Sequence, residues 1–344
     1  MQKFRIGIIG LRMGLEWAKA AATNPLSELT VVYDKFYDEN QRIDKSFFES
    51  SGCRILRQEE EMYQAGLDII IVASPDHIHA EQCIKALHTG SHVICEKPLA
   101  PTVAECCKII DAVEKTGKMF MTGQVCRYAP GFILARKLVE DGRIGKIAFI
   151  ESEYAHDYAN TLGFGGWRKD PVVKREGFLG GGCHAMDLIR WFVGNPLEVT
   201  AYMNRKLLEA NDWPTNDTGI AICRFPDDVI GKVFVSVGAK RPYTMRTVIY
   251  GTAGTIICDN TSTAIQIFEE PLRPQTGNEF SRIPVNINSH NVAAELEEFL
   301  QCLRQERDIP TDIYEGTRTV AFGEAALESA RTGKPVKVQV ITRP

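Results

Sequence analysis

Three short stretches of this sequence combine residue types that do chemistry. GIIGLRMG, residues 7–14, sets Gly10 and Gly14 around Arg12 where an apolar run gives way to a helical pattern. EKPLAPT, residues 96–102, ends another apolar run on a carboxylate, an ammonium and a proline. GGGCHAMDLIR, residues 180–190, delivers His184, Asp187 and Arg190 at three-residue steps behind a run of glycines. A helix amino terminus after a glycine turn offers N–H groups to a phosphate. A desolvated ammonium can hold a hydroxyl and relay its proton. Imidazole titrates near neutrality and suits proton transfer with an alcohol. Asp187 either orients His184 or pairs with Arg190, because all three lie on or near one helical face.

The elements that must position these groups follow from periodicity. FRIGII (Phe4 to Ile9), LTVVYD (Leu29 to Asp34), DIIIVAS (Asp68 to Ser74) and HVICEK (His92 to Lys97) are near-continuous apolar runs, as in strands covered on both faces. Helical patterns separate them at residues 14–23, 38–51, 76–89 and 102–116, the last opened by a Thr102–Glu105 capping box behind Pro101. Strand alternating with helix predicts parallel βαβ units, an α/β Rossmann domain with a doubly wound parallel sheet, over residues 1–123. From residue 124 the pattern changes. A helix over residues 131–141, a strand in IGKIAFIESEYAH and a helix over residues 184–193 come first. Alternating runs follow at residues 197–207, 218–225, 229–237, 246–258 and 264–268. They predict a C-terminal α+β domain, residues 124–344, with a large, mostly antiparallel open sheet. Helices over residues 291–305 and 314–332 close the chain and can pack back on the first domain. The free face of so large a sheet calls for another subunit, so a homodimer or homotetramer through the C-terminal sheet is expected.

The composition limits the partners. At 344 residues the chain exceeds one compact core, and 44% apolar with 24% charged residues describes an ordinary globular protein. A formal net charge of −4 gives no reason to expect nucleic acid or an anionic membrane. No run approaches the roughly 18 apolar residues that span a bilayer, and the apolar start is broken at once by Gly10 and Arg12, unlike a signal peptide. The ten cysteines include no Cys-x-x-Cys pair and no Cys/His cluster at zinc-finger spacing. Scattered thiols suit the reducing cytoplasm, and no metal site is expected.

The opening turn departs from the dinucleotide fingerprint Gly-x-Gly-x-x-Gly, since only Gly10 and Gly14 remain. Either one residue is deleted and Gly14 is the third glycine, or Arg12 replaces the second and adds a guanidinium for a pyrophosphate. The context still favours a dinucleotide: the turn follows a strand, opens a helix, and is followed 20 residues after Gly14 by Asp34 at the end of the next strand. A carboxylate there accepts ribose hydroxyls and repels a 2′-phosphate, which favours NAD. Lys35 beside it softens that discrimination and leaves NADP open.

Several stretches in order carry a family resemblance. SPDHIHAEQCIKAL, GSHVICEKPLA, GQVCRYAPGF with GRIGKIAFIE, GGGCHAMDLIRWFVG and DIYEGTRTVAFGEAALESARTGKPVKV together resemble the Gfo/Idh/MocA oxidoreductases, which act mostly on sugars and polyols with NAD(H) or NADP(H). The resemblance covers essentially the whole chain. It implies that Gly10, Leu11, Arg12, Met13, Gly14, Asp34, Ser74, Pro75, His79, Glu96, Lys97 and Gln124 contact the cofactor. It also implies that Lys97 and His184 are catalytic, and that Pro98 is structural and often cis. An aspartate common four residues before the histidine is Gly180 here. Arg127, Tyr128, His156, Trp167, Arg168 and Asp187 are the expected substrate-binding groups in its place, with Asp157 near them. Trp167 is either a platform for a sugar ring or a core residue.

These expectations amount to an NAD(H)-dependent dehydrogenase of a sugar, polyol or inositol-like compound, with a small-molecule substrate and no nucleic-acid or membrane partner. Two other readings stay open. One is a redox-neutral enzyme that keeps its NAD and processes glycosides through transient oxidation. The other is a non-catalytic, sugar-sensing relative. Retained Lys97 and His184 speak for an enzyme, since a sensor needs no proton relay.

Overall fold

The computed structural model of the chain describes residues 3–270, 279–287 and 290–343. The chain divides into two compact units, one of Met1–Gln124, Val292–Val320 and Ile341–Pro344, the other of Val125–Asn291 and Ala321–Val340. No helix among the described residues is long and apolar enough to cross a membrane.

The first unit is built on a parallel sheet. Its strands are β1 (Phe4–Ile9), β2 (Ser27–Tyr33), β3 (Arg54–Leu56), β4 (Ile69–Val72), β5 (His92–Cys95) and β6 (Phe120–Thr122), in the order β3-β2-β1-β4-β5-β6. The order reverses between β1 and β4, the switch point at which such sheets hold ligands outside their carboxyl ends. Helices α1 (Gly14–Thr23), α2 (Lys45–Ser51), α3 (Glu60–Gln64), α4 (His79–His88) and α5 (Val103–Thr116) connect the strands. Ile6, Ile8, Val31, Ile70 and Ile71 are fully buried, as both-face coverage requires. Thr102 caps α5 by accepting the Glu105 N–H over 3.2 Å, and Gly117 ends it at φ +64°.

Differences from the sequence reading are local. The helix expected over residues 38–51 forms only from Lys45: the Asn40 side chain takes the Arg42 N–H in a local turn, and Asp44 caps the helix by accepting the Phe47 N–H. Strands β3 and β6, three residues each, are too short to show a period.

The second unit carries a nine-stranded sheet. Helix α6 (Pro130–Glu140) and strand β7 (Ile147–Ala155) are followed by α7 (Gly177–Gly180) and α8 (Cys183–Val193). Then come β8 (Glu198–Asn204), β9 (Thr218–Arg224), β10 (Ile230–Ser236), β11 (Thr244–Gly251), β12 (Gly254–Asp259), β13 (Ala264–Glu269) and β14 (Ser281–Pro284). After α9 (Val292–Gln305) and α10 (Ile313–Thr332), the short β15 (Val336–Lys337) completes the order β14-β13-β12-β11-β7-β10-β9-β8-β15. Only β7 and β10 pair in parallel. The strand expected over residues 246–258 is instead the hairpin β11–β12, turned at Thr252 and Ala253 between two glycines.

One face of the sheet lies against α8, and the other is open. Registers put Tyr202, Ile220, Phe234, Ile222, Ile230, Phe149 and Tyr250 on that open face. Tyr202 is 70% exposed and Ile222 53%. The α9 helix belongs to the first unit, where it packs on α1 and its Glu297 accepts from the Asn24 side chain over 2.6 Å.

Candidate active site

The turn after β1 is built by glycines and one carboxylate. Gly10 has φ +85°, and a Cβ there would stand 2.7 Å from the Ala73 carbonyl oxygen, so only glycine fits. A Cβ at Gly14 would stand 2.9 Å from a methyl of Ile8. Gly14 thus does the close helix-to-strand packing that the third fingerprint glycine does, as the shortened-turn explanation requires. Leu11 is buried, Met13 is half-buried at the start of α1, and Arg12 is exposed between them. No side chain caps α1, which keeps its amino end suited to an anion. Asp34 closes the turn from β2: Oδ2 accepts the Leu11 N–H over 2.7 Å and Oδ1 the Phe36 N–H over 2.8 Å.

The other expected cofactor residues cluster at the carboxyl ends of β4, β5 and β6. His79 ties two of these ends together, with Nδ1 3.1 Å from the Pro98 carbonyl and Nε2 2.9 Å from that of Ser74. Pro75 starts a short 3-10 turn over Asp76–Ile78. The Lys97–Pro98 bond is cis. Glu96 faces inward: Oε1 accepts the Trp17 indole N–H over 2.8 Å, and both residues are buried. This carboxylate anchors α1 to the end of β5. Lys97 is half-buried, and its ammonium makes no hydrogen bond or ion pair among the described residues. Gln124 is buried at 2% exposure, with its side-chain N–H on Thr319 over 3.3 Å and its side-chain oxygen without a hydrogen-bond partner among the described residues.

In the second unit His184 sits in the first turn of α8, two residues after the glycine run. Glycine at 182 is compulsory, since a Cβ there would lie 2.1 Å from the Phe178 carbonyl oxygen. The imidazole is 2% exposed. Its Nδ1 lies 3.3 Å from Cys126 Sγ, Tyr154 stacks at 6.1 Å between centroids, and His290 stacks at 5.3 Å. Tyr154, Tyr158, Tyr243 and His156 extend the cluster, with the Tyr154 and Tyr158 hydroxyls 2.8 Å apart and His156 5.2 Å from Tyr243. Burial pushes the Tyr154 and Tyr243 hydroxyls well above the usual tyrosine range, so both stay neutral.

Asp187 is engaged by two guanidinium groups. Arg127 forks onto it at 2.8 and 2.6 Å, and Arg190 reaches it at 3.4 Å, all three side chains being at most 8% exposed. Removing one member of such a buried pair costs about 3–5 kcal/mol, so Asp187 and Arg127 anchor α8 to the turn over Val125–Tyr128. Tyr128 is half-buried on that same turn. Asp157 pairs with Lys240 over 2.8 Å. Trp167 is half-buried, with the Arg168 guanidinium 4.8 Å and the Arg175 guanidinium 5.2 Å from its ring centroid. Its ring therefore serves these cations.

Arg175 and Glu176 were not legible in the sequence, where KREGFL carries no motif. Arg175 Nη2 donates to the Gly180 carbonyl over 2.8 Å, and a Cβ at 180 would meet its Cζ at 2.2 Å. The space beside Gly180 is thus filled by a buried guanidinium. Glu176 follows directly, and burial pushes its carboxyl up to about 7. Cys126, Tyr243 and His290 join the cluster through the tertiary fold alone.

Comparison with known proteins matches this architecture throughout. Residues 4–124 match the family model described as an oxidoreductase family with NAD-binding Rossmann fold, and residues 132–257 match the GFO/IDH/MocA C-terminal domain. The inositol 2-dehydrogenase of Rhizobium meliloti (strain 1021) is 24% identical over 97% of this chain and 99% of its own. The scyllo-inositol 2-dehydrogenase (NAD(+)) of Bacillus subtilis (strain 168) is 24% identical over 98% and 96%. A solved levoglucosan dehydrogenase in complex with NADH superposes with a TM-score of 0.87 at 22% identity, covering 99% of this chain and 100% of that one. At that identity the structural likeness establishes the fold alone.

Proposed function

We propose that this chain, which belongs to the Gfo/Idh/MocA oxidoreductase family, is an NAD(H)-dependent dehydrogenase of a carbinol carbon in a sugar, polyol or inositol-like substrate. The observation that carries the reading is the turn after β1, where the uncapped amino end of α1, the tight Gly10 and the Asp34 carboxylate fit a dinucleotide. Gly10 to Gly14 would hold its pyrophosphate and Asp34 its ribose, and bound NAD supplies the hydride acceptor. The first unit takes the cofactor role, and the second the roles of substrate binding and self-association.

In this reading His184 takes the proton of the substrate hydroxyl and Lys97 polarises the same oxygen. Oxidation of an alcohol frees one proton, and an imidazole accepts it near neutral pH. The neutral Tyr154 and Tyr243 hydroxyls and the half-buried His156 supply hydrogen bonds for substrate hydroxyls. Arg175, in place of a carboxylate near Gly180, favours substrates that present acceptor oxygens there. The names of the relatives, inositol and levoglucosan dehydrogenases, support the substrate class. Ten free thiols fit a reducing compartment such as the cytoplasm.

The test is a screen of inositols, levoglucosan and related sugars for NADH formation. It is paired with mass spectrometry of the dinucleotide that co-purifies. A substrate is expected in that panel, and His184→Ala should lower turnover on it about 10²–10⁴-fold while leaving NAD affinity unchanged. Near-full activity in His184→Ala would refute the relay. Retained NAD without NADH release would point to the redox-neutral outcome.

A further inference from the structure

We propose that Cys126, His184 and His290 form a binding site for one divalent cation of the zinc class, with an open fourth position. The thiol sulfur and one nitrogen of each imidazole all lie within 4.8 Å of one another. The separation of 3.3 Å from Cys126 Sγ to His184 Nδ1 is close to the roughly 3.5 Å that a tetrahedral ion sets between a sulfur at about 2.3 Å and a nitrogen at about 2.0 Å. The His184 and His290 rings are nearly parallel, 26° apart at 5.3 Å, so a small approach of His290 completes the set.

The donor chemistry selects the ion. One thiolate with two imidazoles and no carboxylate suits zinc or cobalt and disfavours magnesium and calcium, which want oxygen. Three protein ligands and an open position is the pattern of reactive zinc sites, whereas structural sites close with four. Cys126 and His184 are each 2% exposed and His290 is half-buried, and among the described residues no fourth His, Cys or carboxylate joins the three. The outer partners are present too. The Tyr243 hydroxyl lies 3.4 Å from His290 Nε2, within reach to orient that ring, and the Tyr154 ring backs His184.

Coordination through Nδ1 keeps the His184 proton on Nε2, so an ion bound here blocks the proton acceptance assigned to His184 and holds the enzyme inactive. That consequence rests on the dehydrogenase reading; the binding itself does not. Untagged protein, stripped with a chelator and kept reduced with a phosphine, is therefore titrated with Co²⁺ and followed by absorption. We expect saturation at one equivalent with a thiolate-to-cobalt charge-transfer band, and loss of that band on adding one equivalent of Zn²⁺. Cys126→Ser should abolish the band. His290→Ala, at a half-buried position, should weaken cobalt binding at least tenfold with the circular dichroism of the native fold retained. No saturable band, a band that survives in Cys126→Ser, or unchanged affinity in His290→Ala would each overturn the site. The readout is independent of turnover, so it can fail while the dehydrogenase reading stands, and the reverse.

Discussion

Asp34 holds its turn with the same two oxygens that a ribose diol would use. Each oxygen already accepts one backbone N–H, from Leu11 and from Phe36. A carboxylate oxygen has capacity for a second donor, so the ribose adds to this network without dismantling it, whereas a 2′-phosphate would meet a fixed negative charge. NAD(H) is therefore expected to bind at least several-fold more tightly than NADP(H) in calorimetric titration. Asp34→Ser should narrow the gap and also weaken NAD, because the turn loses its clasp. Equal or reversed affinities in the native protein would refute the preference. Asp34 and Lys97 could be picked out from the sequence because each sits at a strand end inside an ordered set of motifs. Arg175 could not, since nothing in its neighbours announces that it fills the space left by Gly180.

Among the elements, the head of α7 carries the clearest pH signature. Glu176 is half-buried next to Arg175, and its carboxyl is pushed from 4.5 up to about 7 by loss of hydration. A raised carboxyl binds a proton in the folded chain at pH values where the unfolded chain has released it. Stability then falls as pH rises from about 4.5 to about 7 and is level above that. Glu176→Gln should remove this slope, as read by urea unfolding across that range; an unchanged slope would assign it to other groups. The near-continuous apolar runs of β1, β4 and β5, covered on both faces, and the helical period of α5 and α8 were legible in the sequence. The short β3 and β6 were not, because pairing to a longer neighbour creates them. Likewise a run such as residues 246–258 keeps its alternation through a hairpin, and only the glycines at 251 and 254 hint at the turn.

For the whole molecule, the open sheet face dominates the expected behaviour. Tyr202, Ile222 and Ile230 are exposed on one surface, with the half-buried Glu151, Lys232 and Arg246 set among them, an apolar face crossed by charges that suits a second copy of the chain. Light scattering should find a dimer or tetramer, and Ile222→Lys should raise its dissociation constant roughly tenfold or more without altering NAD affinity. A monomeric native protein would refute this. The placement of α9 has a different consequence, one of timing. It packs on α1, near the start of the chain, yet it is made only after residues 125–291 of the second unit. On the ribosome the first sheet thus waits, with that flank of α1 uncovered, for well over a hundred further residues. At synthesis rates of about 5–20 residues per second, that wait lasts on the order of ten seconds or more. The nascent chain is then exposed to misassembly longer than a chain whose units close in order, and holding chaperones have their opportunity in that interval.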